Sequence, residues 1–242
     1  CTPVVNQDPM TVLVVGAGGN GARVIPPLTQ MLRRRDRLFI MDRDIVEDRN
    51  LTRQHFTERD IGHPKALVLA QRYQKRDMHP AALVSKLTLA KVAEEIAGLE
   101  WPAPRNQLVI IGCVDNNEAR KVMDTVITGA TLSNRINSVA HIDVGNERRG
   151  GQVLLSLRTW PLVATELGTP AVPGRCYSMA TLHEAMPQLC KPAAWMCDDC
   201  AIQNKPEAKT CAKCGREAGS CGNRLDLQTV MVNHMAAGMA LN

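Results

Sequence analysis

The chain has 242 residues and a formal net charge of +5, which suits one domain of ordinary to large size with room for an insertion. Hydrophobic residues make up 45% but aromatics only 3%, so the core must be built from Val, Leu, Ile, Ala and Met, which favours helices layered on a sheet over an aromatic-rich β fold. No apolar run approaches the roughly 18 residues of a bilayer span, and the charge is too moderate to argue for nucleic acid, so neither a membrane nor a nucleic acid is an expected partner.

Residues 1–9 are polar and lack an apolar signal core, so no signal peptide is expected and the cytoplasm is the expected compartment. The first residue is Cys1 rather than Met, so the natural start is expected upstream. Residues 11–15 are a β-branched run that predicts a buried strand, emptying into Gly16-Ala-Gly-Gly-Asn-Gly21. A helix is predicted over 22–32, kinked early by Pro26 and Pro27. Next come a strand at 38–41, a helix over 61–76, a third strand at 82–87 and a helix over 89–97. Residues 107–113 read as another continuous apolar strand, closed by Asp115 and followed by a helix over 117–127. Strands at 138–144 and 152–157 are joined by a Gly-rich turn. This alternation predicts a Rossmann-like, doubly wound, mostly parallel sheet over residues 1–158. Residues 159–222 change texture, with six prolines and seven of the nine cysteines, and need a stabiliser of their own. A helix over 226–241, within residues 223–242, then returns to the core.

Gly16-x-Gly18-x-x-Gly21 between strand and helix is a dinucleotide fingerprint. Glycines let the backbone approach a phosphate, and the helix N-terminus supplies N–H donors and a positive dipole. Gly19 lies in the same loop. Asp42, about 20 positions on, is placed to accept bonds from ribose hydroxyls. That much fits NAD as readily as ATP. The segment from Asp42 to Gln54 then gathers Asp44, Asn50, Arg53 and Gln54, and Lys65 opens the next helix. Charge moving onto the β and γ phosphates of a departing pyrophosphate calls for such cations, and Asp115 is placed to hold Mg²⁺. Asp44 and Asp48 also read as solvated loop carboxylates.

Four motifs in order, Gly16 to Gly21, Asp42 to Gln54, Asp60-Ile-Gly-His-Pro-Lys65 and Cys113-Val-Asp115-Asn116, together resemble the ThiF/MoeB/HesA family, the bacterial branch of the ubiquitin-activating enzymes. Ser220-Cys221 ahead of a helix carrying Val232-Asn233 is similar to the ThiF-type proteins of PRTRC plasmid systems. The resemblance implies that Asp42 holds the ribose, that Asn50, Arg53 and Lys65 grip the triphosphate with Gln54 nearby, and that Asp115 coordinates Mg²⁺. It implies adenylation of the C-terminal carboxylate of a ubiquitin-like or sulfur-carrier protein, and a homodimer. The alternatives are a relative activating a tRNA carbonyl, suggested by the basic Lys205, Lys209, Lys213 and Arg216, or a non-catalytic module that binds a ubiquitin-like protein.

Cys197-x-x-Cys200 and Cys211-x-x-Cys214, ten residues apart, give four thiolates at the spacing of a tetrahedral Zn²⁺ site, with four free thiols as the plain alternative. With Trp195 and Asn204 the pattern over 195–214 resembles a zinc finger of the Ran-binding-protein type, although Ala201-Ile202 stands where its ubiquitin-binding members carry Thr and an aromatic. Cys221, ahead of the last helix with Arg224 nearby, is the expected nucleophile, since a helix N-terminus and a cation favour a thiolate. Cys176 and Cys190 are the other candidates, and Cys113 reads as a buried strand residue.

Overall fold

The computed structural model of the protein describes residues 9–75, 77–86, 88, 107–128, 138–146, 151–159, 195–196, 202–205, 208 and 210–215. The predicted helices over 89–97 and 226–241, with Cys176, Cys190, Cys197, Cys200 and Cys221, lie outside these residues.

Six strands, β1 (Met10–Val15), β2 (Arg37–Met41), β3 (Ala81–Leu83), β4 (Gln107–Gly112), β5 (Ser138–Asn146) and β6 (Gly151–Thr159), form one sheet in the order β3-β2-β1-β4-β5-β6. The first five run parallel and β6 closes the edge antiparallel to β5, from Ser138↔Thr159 to Asn146↔Gly151. The helices are α1 (Gly21–Met31), α2 (Lys65–Arg72) and α3 (Asn117–Thr128). Successive side chains of β1 face opposite ways. Val12 and Val14 enter a core with Val24, Ile25 and Leu28 of α1 and Ala66, Val68 and Leu69 of α2. Leu13 and Val15 enter a second core with Met123, Val126 and Ile127 of α3. Both faces are covered, so the strand is apolar without alternation.

Helix α1 runs through Pro26 and Pro27, which leave the carbonyls of Ala22 and Arg23 without an i+4 donor. Each proline costs about 3 kcal/mol in a helix interior. Complete burial of Val24 and Ile25 and near-complete burial of Leu28 offsets this at roughly 1.5–3 kcal/mol each.

Two predicted elements are shorter than their patterns. Residues 58–60 form a 3-10 turn, Gly62 takes φ +82 and Pro64 disfavours helix at His63, so α2 begins only at Lys65. Strand β3 ends at Leu83, whose carbonyl accepts the Asp42 and Ser85 N–H groups at 3.1 and 3.0 Å. Two other strands are longer than predicted, since β5 and β6 form a nine-residue ladder. A small hairpin of β7 (Trp195–Met196) and β8 (Gln203–Asn204) had no signal in the hydrophobic pattern.

Candidate functional site

Strand order reverses between β1 and β4, and the crevice beyond their carboxyl ends is where an open parallel sheet binds ligands. The chain leaves β1 through Gly16, whose N–H donates to the Met41 carbonyl at 2.8 Å, and the Cys113 N–H donates to the Val15 carbonyl at 2.7 Å. The glycine loop is thus sewn to the ends of β2 and β4.

Its glycines differ in what requires them. Gly16 has φ +94, and a Cβ there would stand 2.7 Å from the Cys113 carbonyl oxygen. At Gly21 a Cβ would stand 1.9 Å from the Gly16 carbonyl oxygen, so that glycine lets α1 turn back against the loop. Gly18 is unlike both: a Cβ there would meet only Gln54 Nε2, at 4.0 Å. Among the described residues no contact demands a glycine at 18, and the space left there lies on the loop where a phosphate would approach.

Asp42, at the end of β2, accepts the Ala17 N–H on Oδ2 at 2.6 Å and the Asp44 N–H on Oδ1 at 2.8 Å. Burial raises its pKa above the ordinary carboxylate value, and those two hydrogen bonds oppose the rise. Each oxygen keeps a second lone pair for a sugar hydroxyl. Asn50 is buried, accepting the Glu47 N–H on Oδ1 at 2.9 Å while its carbonyl receives the Gln54 N–H at 3.0 Å. This turn presents Arg53 and Gln54, and Gln54 Oε1 is buried with no hydrogen-bond partner. Arg53 and Lys65 are both buried cations. Lys65 donates its N–H to the Asp44 carbonyl at 2.9 Å, and its Nζ lies 3.5 Å from Asp44 Oδ2, whose side chain is 57% exposed. Asp44 is therefore the solvated end of a half-exposed pair, a weak partner for Lys65.

Asp115 is exposed two residues before α3 and takes no hydrogen bond from the described residues. A hard cation needs such an open carboxylate. The structure fixes the loop on either side of it. Asn116 Oδ1 accepts the Ala119 N–H at 2.9 Å, capping α3. Arg120 Nη2 donates to the Val114 carbonyl at 3.0 Å, while its Nε meets both oxygens of Asp143 on β5 at 3.1 and 3.2 Å. Both members of that ion pair are buried. Burial raises Asp143 above the usual carboxylate value even though Arg120 pulls it down.

His141, 1% exposed, belongs to the same buried cluster. Burial, reinforced by Arg120, lowers its pKa to about 4, so it is neutral at pH 7. A Cβ at Gly112 would lie 3.2 Å from His141 Nε2 and 2.7 Å from Met123 Cε, so β4 ends on a glycine to admit both side chains. Burial, then the Asp143 carboxylate, pushes the Cys113 thiol far up, which disfavours the thiolate a nucleophile needs.

The structure therefore gathers Gly16, Gly18, Gly21, Asp42, Asn50, Arg53, Gln54, Lys65 and Asp115 around the carboxyl ends of β1, β2 and β4. The hydrophobic pattern did not single out Arg23, Arg120, His141 or Asp143. Charged residues inside apolar runs (Arg23 before Val24-Ile25, Asp143 between Ile142 and Val144) were the available signal.

The sequence profile of the ThiF family matches residues 8–241. The chain is 33% identical over 144 residues to the NEDD8-activating enzyme E1 catalytic subunit of Saccharomyces cerevisiae, a match covering 59% of this chain and 46% of that protein. It is 32% identical over 124 residues to the protein of the same name from Arabidopsis thaliana, covering 51% of this chain and 25% of that one. The chain thus spans less than half the length of the curated relatives it matches. Among solved structures it is similar to the E. coli tRNA N6-threonylcarbamoyladenosine dehydratase TcdA, with TM-score 0.45, 21% identity, and 60% and 54% of the two chains covered. It is also similar to E. coli MccB with AMPCPP and MccA, with TM-score 0.43, 20% identity, and 71% and 43% covered.

Proposed function

The chain belongs to the ThiF family, and from that premise we propose that it binds ATP with Mg²⁺ in the β1–β4 crevice and adenylates the C-terminal carboxylate of a ubiquitin-like or sulfur-carrier protein. The observation that carries this reading is the convergence of an open Gly18 with two buried cations, Arg53 and Lys65, at the switch point. The loop N–H groups and the α1 terminus receive phosphate, Asp42 receives the ribose, and Arg53 and Lys65 neutralise the charge that grows on pyrophosphate. Asp115 would hold Mg²⁺, which would supply neutralisation of the charge developing on the phosphates. A carboxylate oxygen of the partner attacks the α-phosphorus, the bond to the β-phosphate oxygen breaks, and an acyl-adenylate and pyrophosphate result. Cys221 then takes the acyl group as a thioester, releasing AMP. Exchange of labelled pyrophosphate into ATP, dependent on both Mg²⁺ and the partner, is the direct test. Exchange that ignores the partner would remove the carboxylate-activation reading.

The glycines offer a sharper check. Gly18→Ala is expected to fold with stability within about 0.5 kcal/mol of the parent, because among the described residues only Gln54 Nε2, at 4.0 Å, meets the new methyl group, yet to bind ATP more weakly. Gly21→Ala should instead lose about 2 kcal/mol or more of stability, since its methyl would overlap the Gly16 carbonyl. Thermal melts and ATP calorimetry on both variants decide it, and equal melting losses in the two would refute the distinction.

We also propose that Cys197, Cys200, Cys211 and Cys214 hold Zn²⁺. The described contacts around the second pair support this reading. Cys211 Sγ accepts the Lys213 N–H at 3.5 Å, the Gly215 N–H reaches the Cys211 carbonyl at 2.9 Å, and Gly215 takes φ +74. Asn204 ties the hairpin to it, its Oδ1 accepting the Ala212 N–H at 3.0 Å. Backbone N–H groups aimed at sulfur stabilise a thiolate ligand. The expected result is about one zinc per chain, lost in Cys211→Ser. Protein prepared reduced and with zinc supplied that carries none would overturn the assignment.

A further inference from the structure

Arg23 stands in the first turn of α1, two residues past Gly21, and is only 6% exposed. Its Nη1 donates to the Gly19 carbonyl at 2.7 Å and to the Arg53 carbonyl at 2.9 Å, while Nε is buried with no hydrogen-bond partner. No carboxylate among the described residues pairs with it, and burial alone lowers its pKa from the ordinary arginine value. Most buried guanidinium groups are matched by an anion, because an unmatched charge is expensive to desolvate. Arg120 on the other face follows that rule with Asp143. Arg23 does not.

The two carbonyls it joins belong to the two halves of the site. Gly19 is in the glycine loop and Arg53 closes the 42–54 segment. Because a peptide unit is planar, holding the Gly19 carbonyl on Arg23 also aims the Asn20 N–H in the opposite direction. We propose that Arg23 is a positioning residue for the phosphates: it locks the loop to the Arg53 backbone, and its unmatched charge is compensated only when an anion occupies the loop. This rests on the nucleotide reading above, and it adds a cation from beneath the loop to those contributed by Arg53 and Lys65. A purely structural Arg23 would hold α1 against the 42–54 segment and affect all ligands alike, whereas a phosphate-positioning Arg23 discriminates between charged and uncharged ones.

The test titrates ATP, and adenosine by competition, into the full chain and into Arg23→Gln and Arg23→Lys. Gln retains a donor without charge, and Lys retains the charge. Arg23→Gln is expected to raise the ATP Kd about tenfold to a hundredfold and leave adenosine unchanged. Arg23→Lys is expected to stay within about threefold of the parent for ATP, since its ammonium still offers a charged donor. An Arg23→Gln protein that binds ATP like the parent, or weakens ATP and adenosine equally, overturns the proposal. Should Arg23→Gln fail to fold, Arg23→Lys decides: retained ATP affinity supports the role of the charge, and a loss shared with adenosine refutes it. Parent protein that binds no ATP would instead overturn the nucleotide reading itself, and this proposal with it.

Discussion

Asp115→Asn is expected to lower Mg²⁺-dependent pyrophosphate exchange on the order of a hundredfold to a thousandfold, the scale seen when one preorganised stabiliser of developing charge is removed. The physical basis is that Asp115 is exposed and does not contribute to the fold, while its surroundings hold it still. The Cys113 N–H is bonded to the end of β1, the Val114 carbonyl to Arg120, and Asn116 caps α3. A carboxylate so held, with no hydrogen bond of its own among the described residues, is suited to a cation. The substitution keeps shape and removes one charge, so stability should change by less than about 0.5 kcal/mol. Affinity for ATP without Mg²⁺ should stay level, and the gain on adding Mg²⁺ should disappear. Exchange at the parent's rate in Asp115→Asn would end the assignment of Asp115 to the metal.

Arg120→Met should cost about 3–5 kcal/mol of stability near neutral pH, because it strands the Asp143 carboxylate in the core. For a chain of this length that is a fall on the order of 10 °C in Tm. The deficit should depend on pH in a definite direction. Burial already raises Asp143, and without the guanidinium its folded-state pKa moves further above the unfolded value of about 3.9. A raised carboxyl pKa means stability is lost as pH rises through it and restored as pH falls. His141 adds to the same trend. In the parent its value of about 4 makes it resist protonation, so stability drains away as pH drops from about 6.5 towards 4. Removing Arg120 relieves part of that depression, so the variant is penalised less by acid. The gap in Tm between parent and variant should therefore narrow from pH 8 towards pH 4.5. A gap that stays constant across that range would show that Asp143 and His141 bind protons alike in parent and variant, and would end their linkage to Arg120. Because Arg120 also holds the Val114 carbonyl, residual exchange activity should fall more than the lost stability alone explains.

Much of this was legible from the sequence because the signals are local. A strand buried on both faces has to read as Thr11-Val-Leu-Val-Val15, a tight strand-to-helix turn calls for Gly16 and Gly21, and a three-residue spacing puts Asn116 Oδ1 on the Ala119 N–H. The parallel order followed from alternation of such signals, and the cassette from Asp42 to Lys65 from charge crowded into one segment. The pattern misplaced what depends on backbone chemistry overriding periodicity: the late start of α2 after Gly62 and Pro64, and the early end of β3 at Leu83.

Composition and spacing by themselves determined the fold class and the glycine loop, while the family came from the resemblance of four motifs to known members. Only the tertiary structure decided which glycine the chain itself requires, since the space around Gly18 among the described residues and the crowding at Gly21 come from parts of the fold that the motif does not mention. It alone decided that Arg23 meets Arg53 thirty residues away, and that Arg120 meets Asp143 twenty-three residues away. Those pairings are set by how α1 and α3 settle on opposite faces of the sheet, and no periodicity within one segment encodes a contact between two.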